Sequence, residues 1–315
     1  MREKVRVGVV GVGSLGQHHA RIYRELDEVE FVGLFDPDRA RAAEIAAANH
    51  SRAFDCLEAL AAEIDAASVV VPTHLHREVA GGLLGQGLHL LVEKPIASTT
   101  REAEELVAMA QERNLILQVG HVERFNPVLG TLEQYTGRPR FIEAHRLAPF
   151  PPPREGQMPR GTEVSVVLDL MIHDIEVLLH LVDAKVVDFH AVGIPVLSPS
   201  EDIANVRLQF ENGCVANVTA SRISPEQMRK IRVFYDDAYI SLDYQAQEGE
   251  LHRKTAAGIV REQIPIEKGD ALTNELKAFA GCVLHHSQPK VSGEHGAEAL
   301  RLAVAITQKV RVSSS

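Results

Sequence analysis

Three groups of residues in this 315-residue chain have the types and spacing that chemistry requires. The first is Gly11-Val12-Gly13-Ser14-Leu15-Gly16, between the apolar run VRVGVV and a helical pattern. Gly11 permits a tight turn, Gly13 lets a pyrophosphate approach the backbone, and Gly16 allows close packing of helix on strand. Ser14 and Leu15 open the helix, whose first N–H groups are available to phosphate oxygens. An acid about 20 residues further on completes a dinucleotide fingerprint, and Asp36, in LeuPheAspProAsp, fits. A carboxylate there accepts from both ribose hydroxyls and repels a 2′-phosphate, so NAD is favoured over NADP, although Arg39 and Arg41 lie nearby.

The second group is Glu93-Lys94-Pro95, at the end of the run LHLLVE. In an open α/β sheet, ligands bind outside the carboxyl ends of the strands. A lysine there points toward a cofactor cleft, held by the proline after it; a surface lysine past an edge strand is the alternative. The third group is Asp169-Leu-Met-Ile-His173. The i, i+4 spacing puts Asp169 and His173 on one helix face, and Glu176 and His180 extend the stripe. Such a stripe is either the solvated face of the helix or the lining of a cleft. In a cleft, Asp169 would orient His173, which could take a proton near neutral pH. A metal site is not expected, because His-x-x-x-His spacing is absent.

Further candidates lie at strand ends. In Pro72-Thr73-His74-Leu75-His76, Thr73 could cap the following helix and His76 could lie near a nicotinamide. His121 and Arg124, in GlyHisValGluArgPheAsnPro, sit where the sequence grammar changes. Residues 138–160 carry five arginines (138, 140, 146, 154, 160) against two glutamates, in a chain of net charge −10. A local reversal of sign suits a small anionic ligand, and a guanidinium suits phosphate oxygens. Arg124, Arg146 and Arg160 are the candidates for that contact.

Elements that could position these groups follow from the apolar pattern. Up to about residue 120, the runs 5–10, 29–35, 67–71, 88–93 and 115–120 alternate with helical patterns at 15–26, 39–49, 75–85 and 99–113. Runs this apolar predict strands buried on both faces of a parallel sheet. Thr99 or Ser98 with Glu102 predicts a capping box on the last of those helices. Beyond 121, helical patterns at 122–136 and 163–182 precede seven strand-like runs, with a hairpin turn at Asn212-Gly213 and a closing helix at 294–311. The expected architecture is α/β. An N-terminal Rossmann domain, 1–121, is followed by an α+β domain, 122–315, with an open, mainly antiparallel sheet.

Composition narrows the class further. The net charge of −10 argues against a nucleic-acid or anionic-lipid surface. The longest apolar stretch, VVLDLMIHDIEVLLHLV, is interrupted by charged and titratable residues, so no membrane span is expected. The N-terminus enters a strand-like run without a signal-peptide pattern, and three scattered cysteines suit a reduced, cytoplasmic setting.

The fingerprint at 11–16, Glu93-Lys94-Pro95, and Asp169-x-x-x-His173 after a long loop together resemble the Gfo/Idh/MocA oxidoreductases, over essentially the whole chain. That resemblance implies nicotinamide-dependent oxidation of a sugar hydroxyl or reduction of the corresponding ketone, with a sheet that often builds homodimers or tetramers. Pro72, Thr73, His76, Glu93 and Lys94 would join the fingerprint and Asp36 on the cofactor side. Lys94 would contact substrate and nicotinamide, while Asp169 and His173 would hold the reacting hydroxyl, with His173 as base. His121, Arg124, Arg146 and Arg160 would bind the rest of the substrate. Residues 120–127, 143–150 and 160–175 are similar to a narrower branch of the family. That branch oxidises the 3-hydroxyl of UDP-N-acetylglucosamine and hands the ketone to an aminotransferase for lipid A. A dehydrogenase of free sugars or inositol, or a non-catalytic dinucleotide sensor on the same fold, are the alternatives.

Overall fold

The glycine loop follows a strand that is buried almost from end to end. In a computed structural model, which describes residues 4–152, 159 and 161–313, β1 (Val5–Val10) forms the middle of a six-stranded sheet. Its companions are β2 (Val29–Phe35), β3 (Arg52–Ala53), β4 (Ala66–Val69), β5 (His89–Glu93) and β6 (Leu117–Gly120). All pair in parallel, in the order β3-β2-β1-β4-β5-β6. The order reverses between β1 and β4, which is where doubly wound sheets open a crevice. Five helices connect the strands: α1 (Gly16–Glu25), α2 (Arg39–Ala48), α3 (Leu57–Ala61), α4 (His76–Gly85) and α5 (Thr100–Glu112). The predicted capping box is present on α5, where Thr99 Oγ1 accepts from Glu102 N at 3.2 Å and Glu102 Oε2 from Thr99 N at 3.1 Å. Thr73 does not cap α4; it begins a 3₁₀ turn, Thr73–Leu75, and no side chain caps the helix.

The second part of the chain begins with α6 (Pro127–Glu133), capped by Asn126. An eight-stranded sheet follows, built from β7 (Phe141–Leu147), β8 (Val186–Ile194), β9 (Ile203–Phe210), β10 (Val215–Ser221), β11 (Met228–Phe234), β12 (Ala238–Asp243), β13 (Glu248–Thr255) and β14 (Gly258–Ile264). Its order is β14-β13-β12-β11-β7-β10-β9-β8, antiparallel except for β7 beside β10. Seven of these strands correspond to the expected runs. The eighth, β13, is EGELHRKT, too charged to show an apolar alternation. Between β7 and β8 the chain forms a π-turn (Val167–Met171) that continues directly as α7 (Ile172–Val182), where a plain helix was expected.

Two helices close the chain: α8 (Ala271–His285) and α9 (Gly293–Ser313). The first was not anticipated. Asp270 caps it, accepting from Thr273 N at 2.9 Å, and Leu276, Phe279 and Val283 enter the same core as Val7, Val9, Ala20 and Tyr23. The compact units are therefore interleaved along the sequence. One comprises residues 1–125 and 270–298, the other 126–269 and 299–315. Against the expected division at 121, residues 122–125 and 270–298 belong with the first unit. The second core joins inward residues of the sheet, such as Ile142, Val206, Val218 and Ile231, to Leu129, Ile172, Ile175 and Leu178, and to Ala303, Ile306 and Val310.

Candidate active site

At the end of β1 the backbone turns at Gly11, with φ +86°, and a Cβ there would lie 2.7 Å from Val70 O. A Cβ on Gly16 would collide with Gly11 O, whereas one on Gly13 would meet nothing within 4 Å. Gly13 and Ser14 are exposed and Leu15 is half-buried. The first turn of α1 has neither a side-chain cap nor an acidic residue, so the partial positive charge of its N-terminus is not offset from within the helix. Asp36 ends the neighbouring strand, and its Oδ2 and Oδ1 accept from Val12 N at 2.7 Å and Asp38 N at 2.9 Å. Arg41 donates to Val12 O, Gln17 Oε1 and Glu44 Oε2, which commits its guanidinium to the loop, to α1 and to its own helix. An open glycine, an uncapped helix end and a fixed carboxylate form a cradle that fits a dinucleotide.

Glu93 and Lys94 leave the end of β5 beside Gly120 of β6, and the Lys94-Pro95 peptide is cis. Glu93 Oε1 lies 3.3 Å from His19 Nε2, from a fully buried residue of α1, and Oε2 accepts from Lys94 N at 3.3 Å. Burial pushes the Glu93 carboxyl up. His19, the Lys94 charge and the Lys94 N–H outweigh it and hold the group below the usual carboxylate range. His19, three residues after the fingerprint, escaped sequence reasoning because a lone histidine in a helix carries no pattern. Lys94 is half-buried, Pro72 is exposed and Thr73 half-buried.

His76 has a different place from the one expected. It is 1% exposed, with Nδ1 2.9 Å from Pro95 O and Nε2 2.9 Å from Val71 O. Its ring spans the turns after β4 and β5, and does not present a nitrogen to a ligand. Burial lowers its pKa, against the opposing pull of the two carbonyls and Glu93. His121 and Arg124 are also buried, at 1% and 2% exposure. Burial, with Lys94, Arg124 and His295 nearby, pushes His121 down to about 3.

In the second unit, Asp169 lies in the π-turn and His173 one residue into α7. π-Turns inside helices are frequent at functional sites. Both residues are half-buried, and Glu176 is 2% exposed, so the stripe is not a solvated face. Only His180, 3.3 Å from Glu133 Oε1, reaches the surface. Gly161 has φ +80°, and a Cβ there would lie 2.9 Å from Asp169 Cγ. The carboxylate therefore rests against bare backbone, a contact with no signature in the sequence.

The described arginines of the 138–160 stretch have separate surroundings. Arg146 is 3% exposed and donates from Nε and Nη2 to Asp174 Oδ2 and Oδ1, at 2.7 and 3.1 Å. Its guanidinium is committed to a buried ion pair. Arg140 lies 3.4 Å from Asp236 at the surface, and Arg138 is exposed. Arg154 and Arg160 fall outside the described residues. Among the described residues no cluster of histidine, cysteine and carboxylate suits a metal ion, and no helix is long and apolar enough to cross a membrane.

Comparison with known proteins identifies the family. The model of the Gfo/Idh/MocA oxidoreductase family's NAD-binding Rossmann fold matches residues 5–121, and that of the Gfo/Idh/MocA C-terminal domain matches 133–241. UDP-N-acetylglucosamine 3-dehydrogenase of Acidithiobacillus ferrooxidans is 38% identical over 309 residues, covering 96% of each chain. A solved structure of that enzyme, GnnA, superposes with a TM-score of 0.92 over 98% of each chain. The NAD-dependent scyllo-inositol 2-dehydrogenase of Bacillus subtilis is 24% identical over 99% of this chain and 95% of its own. Levoglucosan dehydrogenase, solved with NADH and levoglucosan, shares the fold at 17% identity, with a TM-score of 0.89 over 98% of this chain and 97% of its own. The chain is an oxidoreductase of the Gfo/Idh/MocA family, with an NAD-binding Rossmann unit at its N-terminus.

Proposed function

We propose that this enzyme oxidises the 3-hydroxyl of UDP-N-acetylglucosamine to the 3-keto sugar nucleotide, with NAD as cofactor. The observation that carries the reading is the 38% identity to UDP-N-acetylglucosamine 3-dehydrogenase over 96% of both chains. The loop of Gly11, Gly13, Ser14, Leu15 and Gly16 would hold the pyrophosphate, and Asp36 the adenosine ribose. The bound dinucleotide supplies the hydride acceptor. His173 takes the hydroxyl proton as general base, with Asp169 beside it on the same hydroxyl. The Lys94 ammonium stabilises negative charge developing on the substrate oxygen. A 3-keto sugar nucleotide is a substrate for transamination, so an aminotransferase would follow, in the cytoplasm, toward lipid A. A homo-oligomer fits the exposed apolar side chains Val192, Ile194, Val196 and Leu197 on β8 and the loop after it.

A second reading, a dehydrogenase of free sugars or inositol, has one observation in its favour. Arg146, expected to neutralise phosphate, is sequestered by Asp174. The deciding experiment gives purified enzyme and NAD a panel of UDP-sugars, free sugars and inositols, with an aminotransferase and glutamate to draw the ketone forward. A 3-keto or 3-amino product from UDP-N-acetylglucosamine is expected by mass spectrometry; product only from free sugars would transfer the assignment to the second reading. Lys94→Ala and His173→Ala should abolish turnover while leaving NADH affinity nearly unchanged.

A further inference from the structure

A buried ion pair outside the proposed chemistry lies beside one of its groups. Arg222, directly after β10, is 2% exposed, and its partner Asp202 is fully buried. All five N–H bonds of the guanidinium are used. Nε donates to Asp202 Oδ1 at 2.8 Å, and Nη2 to the hydroxyls of Ser198 and Ser200 at 2.8 and 2.9 Å. Nη1 donates to Gly161 O at 2.5 Å and Val164 O at 2.9 Å. Asp202 in turn accepts from the backbone N–H groups of Val196, Leu197 and Ser198.

Three chain segments thus converge on one cation: the end of β10, the loop before β9, and the turn at 161–164. The last of these is the backbone against which the Asp169 carboxylate rests, where Gly161 leaves no room for a Cβ. Ser200 Oγ donates to Val164 O at 2.8 Å, and Val166 N to Glu201 O at 2.9 Å, so the same loop also grips the entry to the π-turn. A π-turn weakens the regular helix ladder and persists where its surroundings fix it.

We propose that Arg222, paired with Asp202, is a positioning residue for the reaction: it holds the 161–164 turn against Asp169 and so fixes where that carboxylate lies. The inference rests on the reading of Asp169 as a group that touches substrate. A lysine at 222 keeps the charge but has three donors on a single nitrogen, and cannot serve the turn, the serines and Asp202 together.

The test is a double-mutant cycle of Arg222→Lys with Asp169→Asn, with turnover expressed per NADH-binding site. Arg222→Lys alone should lower kcat on the order of tenfold or more, with NADH affinity unchanged. In the Asp169→Asn background the same substitution should change kcat by less than about twofold. An equal factor in both backgrounds would mean that Arg222 supports folding only, and would overturn the proposal. A second cycle needs no turnover. Gly161→Ala should lower the thermal midpoint more in the wild type than in Asp169→Ala, because the added Cβ then has no carboxylate to meet. Equal lowering removes the contact on which the proposal stands. If the wild type oxidises no sugar of the panel, the proposed function fails, and the thermal cycle alone decides this inference.

Discussion

Removing Asp174 would leave the Arg146 guanidinium charged, 3% exposed and without its bidentate carboxylate. Breaking one side of a buried pair costs about 3–5 kcal/mol, because the remaining charge cannot be rehydrated without opening the core. Both residues belong to the second unit, and at about 2–4 °C per kcal/mol for a domain of this size the cost is a drop of roughly 6–20 °C in its midpoint. The chain has no tryptophan and five tyrosines, four of which (Tyr135, Tyr235, Tyr239, Tyr244) lie in the second unit. Tyrosine fluorescence during urea or thermal unfolding therefore reports mainly on that unit. Asp174→Ala should show the full loss. Arg146→Met combined with Asp174→Leu should recover most of it, since an apolar replacement of a buried pair is often neutral or better. A loss under about 1 kcal/mol for Asp174→Ala would refute the reasoning. So would a large rise in KM for the sugar nucleotide in the refolded double variant, because Arg146 would then be a substrate contact after all.

Three further outcomes are expected. The unfolded chain binds a proton at His121 near pH 6.5, while the folded chain resists it down to about 3. Stability should therefore fall as pH drops below 6.5, by about 2 kcal/mol at pH 5 from this group; His121→Gln should flatten that slope, and an unchanged slope in urea midpoints would exclude the effect. Gly13→Ala adds a Cβ with nothing within 4 Å, so the thermal midpoint should hold while NADH affinity, read by nucleotide fluorescence, falls on the order of tenfold as the phosphate approach is blocked. Asp36→Ser should shift the ratio of kcat/KM values from NAD toward NADP; an unchanged ratio would remove Asp36 from the ribose site.

Apart from β3, whose two exposed residues Arg52–Ala53 carry no run, the strands of the parallel sheet could be read from the sequence, because strands largely buried on both faces leave mostly apolar runs such as VRVGVV and VEFVGLF. The same holds for β9, whose IANVRLQF alternates with one covered face. What escaped had weaker or misleading signals. In β13 the outward side chains are charged, and the register comes from its neighbours β12 and β14. Helix α8 lies among residues 270–285, where a mixed pattern gives little hint that Leu276 and Phe279 complete a core begun some 270 positions earlier. Around the site, sequence marked the residue types but not their partners. Arg146 reads as a cation for a ligand until Asp174 is found 2.7 Å away. His76 reads as a ligand-facing imidazole until both its nitrogens are found on main-chain oxygens. Partner identity is a tertiary fact, and it decides whether a charge is spent inside the protein or offered to a substrate.

The interleaving of the two units also bears on how the protein is made. Residues 270–298 complete the first unit, so the nucleotide-binding half cannot finish folding when its sheet has left the ribosome. It must wait for nearly the whole chain, with Val9, Ala20 and Tyr23 lacking the Leu276 and Phe279 side of their core until then. A nascent chain stalled anywhere between residues 126 and 269 exposes that apolar surface, and a chaperone would be expected to hold it there. A frameshift just before residue 270 would accordingly unsettle the N-terminal dinucleotide-binding unit as well, through the loss of Leu276 and Phe279.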